Sequence, residues 1–160
     1  MALIAVSTYL PLPPAEVFAR LRKPAVLEAV SAPLLRFTPR GGAFPSEWVP
    51  GEYRMGVKLL GLIPLDDQIV GIEELPSDPS AGCYALRDNG RGCARGKDGG
   101  GLIRRWDHTM QVEPEGEGTC YTDRVEVDAG ALTFAAAGFA RLLYTHRQRR
   151  WRGLLAAGKI

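Results

Sequence analysis

Cysteine, histidine and long apolar runs are all scarce in this chain, and each shortage removes a class of function. Only three cysteines occur, Cys83, Cys93 and Cys120, and no two of them form a CxxC pair. An odd, scattered set argues against a disulfide framework and against a zinc knuckle, so the thiols are expected to be reduced and structural. The two histidines are His108 and His146. No HExxH cluster, Ser/His/Asp order or nucleophile elbow accompanies them, so neither a catalytic residue, nor a metal, nor a cofactor is assigned. No run approaches the roughly 20 apolar residues of a membrane span. The opening Met-Ala-Leu-Ile-Ala-Val-Ser-Thr-Tyr-Leu-Pro has no basic segment and turns polar too early for a secretory signal. A cytoplasmic protein without stable membrane insertion is expected. The net charge of +2 is too small for a nucleic-acid signature, and Arg147, Arg149, Arg150 and Arg152 point in several directions around one helix.

What remains is an ordinary globular composition: 160 residues, 46% hydrophobic and 24% charged, enough for one domain over 1–160 with its own core. The oligomeric state is left open. Leu3 to Leu10 alternates and is rich in β-branched and aromatic residues, a strand ended by Pro11, Pro13 and Pro14. Short helices follow at Ala15 to Arg22 and Ala25 to Val30, separated by Pro24. Strands are then expected at Leu34 to Thr38, Glu52 to Leu60, Gln68 to Leu75 and Gly82 to Asp88. Apolar residues in the loop Gly61 to Asp67 suit either packing or the cap of a cavity mouth. Asn89 to Gly101 is glycine-rich and reads as a mobile hairpin loop containing Cys93, the thiol expected to react first. It matches no phosphate-cradling pattern.

The clearest hairpin joins Ile103 to Glu113 with Thr119 to Asp128 around Pro114-Glu-Gly-Glu-Gly118. Trp106, His108, Met110 and Val112 share one face of the first arm, and Tyr121, Asp123, Val125 and Val127 share the apolar face of the second. A turn at Glu115-Gly116 sets His108 opposite Asp123, Met110 opposite Tyr121 and Trp106 opposite Val125. The proline-free stretch from Leu132 to Ala156 makes about seven helical turns. Its apolar face collects Phe139, Leu143, Tyr144, Trp151 and their neighbours, while Arg141, Thr145, Gln148, Arg149 and Arg152 fall opposite. Arg147 projects from the middle of the apolar face and Arg150 from near its edge. Asp123 is therefore expected to neutralise one of these arginines with His108 joining the network, either as a satisfied buried group or as a polar ligand site.

The order strand, two small helices, six strands and a long helix, with Trp106-Asp-His108, Tyr121-Thr-Asp-Arg-Val-Glu-Val-Asp-Ala-Gly130 and His146-Arg-Gln-Arg-Arg-Trp151, resembles the START-like superfamily. That superfamily is also called SRPBCC or polyketide cyclase/plant-allergen-like, and the likeness is greatest to a bacterial branch with the YTDxVxxxAG and HRQxRW patterns. The resemblance implies an α+β helix-grip fold: a curved seven-stranded antiparallel sheet around the C-terminal helix, with a cavity between them. Members include lipid and hormone carriers, aromatase/cyclases, dioxygenase α-subunit domains and chaperone activators, so the fold leaves function open. The dioxygenase iron ligands are not recognisable, which again argues against a metal.

The leading expectation is a module binding a small hydrophobic or amphipathic molecule. Its cavity would use Trp106, His108, Met110, Tyr121, Asp123, Phe139, Leu143, Arg147 and Arg150. The alternative is a cyclase, dehydratase or hydrolase with His108 and Asp123 or Tyr121 as acid/base groups, and a third reading is a ligand-free interaction protein.

Overall fold

The computed structural model describes residues 1–93 and 101–160. β1 (Ala2–Leu10) runs into α1 (Pro14–Leu21) and α2 (Pro24–Ser31), each with proline in its first turn, where the missing N–H has no helical partner to lose. β2 (Leu35–Pro39), β3 (Gly51–Leu59), the two-residue β4 (Ile63–Pro64), β5 (Asp67–Glu74) and β6 (Tyr84–Cys93) follow. The long hairpin is β7 (Arg105–Glu115) and β8 (Gly118–Asp128). A short 3₁₀ turn, Gly130–Leu132, then leads into α3 (Thr133–Ala156). Every strand pairing is antiparallel, in the order β1-β8-β7-β6-β5-β3-β2, with β4 beside β3. This is the helix-grip α+β architecture: seven strands in one curled path with α3 lying on the concave side.

Alternation decides which residues meet that helix. Trp106, His108, Met110 and Val112 are buried from β7, and Tyr121, Asp123, Val125 and Val127 from β8. On the convex face Asp107 stays charged between Arg87 and Arg105, at 2.6 Å from a guanidinium nitrogen of each. The ladder between β5 and β6 has a gap. No ladder pair forms at Val70 and Gly71, and a Cβ added at Gly71 would lie 3.0 Å from the Asn89 carbonyl oxygen. Only a residue without a side chain lets the strands approach this closely.

Three expectations change. The hairpin turns around Gly116 and Glu117, so β7 and β8 slide by two residues: His108 lies opposite Val125, Met110 opposite Asp123, Val112 opposite Tyr121 and Trp106 opposite Val127. An even slip keeps every side chain on its assigned face, because the strand period is two. Secondly, β6 continues beyond Asp88 to Cys93, which is fully buried, whereas Cys83 and Cys120 are half-buried. Pairing of Asp67 with Cys93 and Gln68 with Gly92 makes strand of what reads by composition as loop, so Cys93 is not the accessible thiol. Of the rest of that expected loop, which runs to Gly101, residues 94–100 lie outside the described residues. Thirdly, Gln148 is buried rather than solvent-facing. α3 is gripped on more than one side, and Gln148 meets the edge made by β1 and β8.

Candidate functional site

Three side chains set the rotation of α3. One amide nitrogen, Gln148 Nε2, donates to the Val6 carbonyl at 2.6 Å and to Asp123 Oδ2 at 3.0 Å, tying the helix to β1 and β8 at once. On the flank, His146 Nε2 donates to the Ala32 carbonyl at 3.0 Å and Arg150 Nη2 to that of Ala29 at 3.2 Å, fastening α2. Arg150, expected in the cavity, is thus turned away from it. The reason is that the last turn of α2 offers bare carbonyl oxygens, natural partners for a cation.

Asp123 holds the other expected group together. His108 Nε2 lies 2.7 Å from its Oδ1, and the Tyr121 hydroxyl donates to the same oxygen at 2.5 Å. Burial alone would raise the Asp123 carboxyl, but the bonds from His108 and Tyr121 and the nearby charge of Arg147 hold it below its usual range. Burial lowers His108 and outweighs the carboxylate's pull. The stable state is therefore a neutral imidazole whose Nε2–H donates to an ionised carboxylate. Burial also raises Tyr121 well above its ordinary value, so it keeps its proton. The expected ion pair between Asp123 and Arg147 is not made directly; Asp123 is satisfied by three neutral donors instead.

Between sheet and helix lies a cavity of about 410 Å³. Met55, Val57, Val70 and Leu86 give it apolar walls from the sheet, and Phe139 and Leu143 from α3. Val26 and Val30 of α2 and Trp48 of the β2–β3 loop line its far side. Of the expected residues, Trp106, His108, Met110, Phe139, Leu143 and Arg147 border this space, whereas Tyr121 and Asp123 stand behind His108 and do not. Leu65, Leu102 and Leu132 line the cavity and are also solvent-exposed, placing the mouth near the start of α3 and the β4–β5 connection. Leu62 and Ile63, at the start of β4, and Phe134, in the first turn of α3, are exposed as well.

Tyr144, Trp151 and Asp88 also line the cavity. Tyr144 accepts the Trp106 indole N–H at 3.0 Å and carries the Arg147 guanidinium 5.1 Å above its ring. Asp88 was legible in principle: Leu86 and Asp88 alternate onto one face of β6, and Asp88 pairs with His108 across the ladder. Its carboxylate accepts only the Gly71 N–H among the described residues, at 3.0 Å, where the β5–β6 ladder is interrupted. Burial raises this carboxyl to about 7; the Gly71 bond and the charge of Arg147 offset it only in part, and Asp107 adds repulsion. No cluster of His, Cys, Asp and Glu suited to a metal occurs among the described residues.

This geometry, a grip of curved sheet on a helix around an apolar cavity, is the helix-grip fold. Solved structures agree with it along nearly the whole chain. Protein CV1439 from Chromobacterium violaceum is 18% identical, with a TM-score of 0.65 over 95% of each chain. Protein Ms6760 from Mycobacterium smegmatis is 10% identical, with a TM-score of 0.72 over 96% of this chain and 90% of that one. Ara h 8.0201 is 12% identical, with a TM-score of 0.61 over 98% of both chains. At such identities the likeness is one of fold. No family model and no curated protein matches the sequence.

Proposed function

We propose that this protein binds a small hydrophobic or amphipathic molecule in the cavity between its sheet and α3. The observation that carries the reading is the cavity itself. Its 410 Å³ exceeds the roughly 300 Å³ at which ligand pockets usually begin, and its mainly apolar wall with a few polar groups is the usual make-up of such sites. A protein serving only as an interaction surface has no need of that void. Reduced thiols at Cys83, Cys93 and Cys120 suit a cytoplasmic setting. No helix among the described residues is long and apolar enough to cross a membrane.

The enzymatic alternative has support at Asp88 rather than at the residues the sequence points to. Both His108 Nε2 and the Tyr121 hydroxyl are committed to Asp123. Asp88 borders the cavity with a carboxyl near neutrality, where a group can both give and take a proton. Native mass spectrometry of protein purified from its own host tests the leading reading. A retained small apolar or amphipathic molecule is expected. Ligand-free protein that also fails to take up the neutral dye Nile red would overturn it.

A further inference from the structure

Buried polar groups in folded proteins nearly always find partners, so those that do not are informative. Among the described residues, five side-chain atoms are buried without one: Arg22 Nε, Ser31 Oγ, Arg147 Nε, Arg150 Nε and Trp151 Nε1. Of these, only Arg147 and Trp151 belong to residues lining the cavity. They sit at i and i+4 on α3, hence on one helix face, and both orphaned atoms are N–H donors. Arg147 is only 7% exposed and forms no hydrogen bond or ion pair among the described residues; its one close partner is the Tyr144 ring.

Burial would lower the Arg147 guanidinium, but the fields of Asp123, Tyr144, Tyr121 and Asp88 raise it, so it remains a cation. Asp123 is not its direct partner: no hydrogen bond or ion pair joins the two, and the carboxylate accepts from His108, Tyr121 and Gln148 instead. From Ala135, which lines the cavity near the mouth, to Arg147 the helix advances roughly 18 Å. The cavity is therefore cationic deep inside, whereas its mouth carries Leu65, Leu102 and Leu132 beside Asp66, Asp67 and Gln68.

We propose that the occupant is an amphipathic monocarboxylate, its carboxylate bound by Arg147 and the Trp151 indole N–H and its apolar body lying toward Phe139 and the mouth. This rests on the cavity-binding reading and adds the chemistry of the head. The planar guanidinium matches a planar carboxylate, and bonds between charged partners are about twice as strong as neutral ones. A single negative charge fits best, because a dianionic phosphate would meet one cation while facing Asp88 across the cavity. A neutral head could accept a hydrogen bond but would leave the arginine's buried charge without a counter-ion.

The test is displacement of Nile red from the full chain by decanoate and by 1-decanol, which differ only in the head. Decanoate should bind at least about tenfold more tightly, matching the 1.4 kcal/mol or more of one charge-assisted bond. Arg147→Met should bring that ratio close to one, chiefly by weakening decanoate. Trp151→Phe, which removes the donor and keeps the ring, should lower the ratio severalfold and serves if Arg147→Met fails to fold. Equal affinities in the wild type, or a preference that survives both substitutions, would overturn the carboxylate assignment and leave cavity binding standing. Failure of both compounds and of Nile red to bind would overturn the cavity-binding reading, and this proposal with it.

Discussion

Asp123 and Asp88 point to the same concave side of the sheet from strands separated only by β7, yet they have opposite electrostatic fates. Asp123 is almost wholly buried and accepts from His108, Tyr121 and Gln148; its carboxyl is held down. Asp88 borders the cavity, accepts one backbone N–H and is pushed up to about 7. The difference teaches that depth alone does not set a carboxyl's charge. What matters is how many donors the fold aims at it. At the sealed region the donors come from two strands and a helix, and the charge becomes part of the architecture. Beside the cavity the donors are missing, and the same residue type is poised between its two forms.

The largest effect should come from the sealed side. Asp123→Asn replaces one acceptor oxygen with an NH₂ that must face either His108 and Tyr121 or Gln148, all of them donors. A loss of about 3–5 kcal/mol in urea unfolding is expected, the usual cost of breaking a buried charged network from one side. Because the folded carboxyl lies below its unfolded value, this stability is present above the unfolded pKa and is lost as pH falls through the folded one. A loss no greater than that of Asp88→Asn would erase the contrast.

At Asp88 the sign reverses. A carboxyl raised from 3.8 to about 7 binds more protons folded than unfolded between those values, so stability falls as pH rises through that window and is level above it. The total fall is at most about 4 kcal/mol, from some three units at 1.36 kcal/mol each. The side-chain amide introduced by Asp88→Asn keeps an acceptor for the Gly71 N–H but never ionises. That variant should flatten the slope and be more stable than wild type at pH 8.5. A pH–stability curve unchanged by the substitution would show that Asp88 does not titrate near neutrality in the fold.

How legible these two regions were in the sequence follows the same division. The sealed side follows from short-range rules. Alternation put His108, Tyr121 and Asp123 on one face, and an error of two residues in the turn could not move them off it. Gln148 was missed because a helical wheel assumes one apolar stripe, whereas α3 is held by α2 on one flank and by the β1–β8 edge on another. The same cause took Arg150 out of the cavity, since α2's carbonyls claim it. Asp88 was passed over because its environment is made by non-local facts: the broken pairing at Gly71, the approach of β5 to β6, and the arginine of a helix that comes much later in the chain. Cys93 was misplaced because its glycine-rich surroundings outweighed, in the sequence, a pairing with β5 that only the fold reveals.

The smallest effect should come from a carboxylate on β7's other face, which completes the comparison. Asp107 also sits below its usual pKa, first because Arg87 donates to it at 2.8 and 2.6 Å and then because Arg105 does so at 2.6 Å. Its side chain is only 7% exposed, but the arginines covering it are 29% and 47% exposed, so water and salt reach the pair. Screening leaves such surface-side networks with little net value, since the Coulomb gain is offset by ordering long side chains. Asp107→Asn should therefore cost about 1 kcal/mol or less, and the cost should shrink further in 0.5 M NaCl. Asp123→Asn should keep its full penalty at the same salt concentration, because the donors that satisfy Asp123 are neutral and out of reach of ions. Equal salt sensitivity of the two variants would mean that Asp123 is open to solvent and that the sealed region is not sealed.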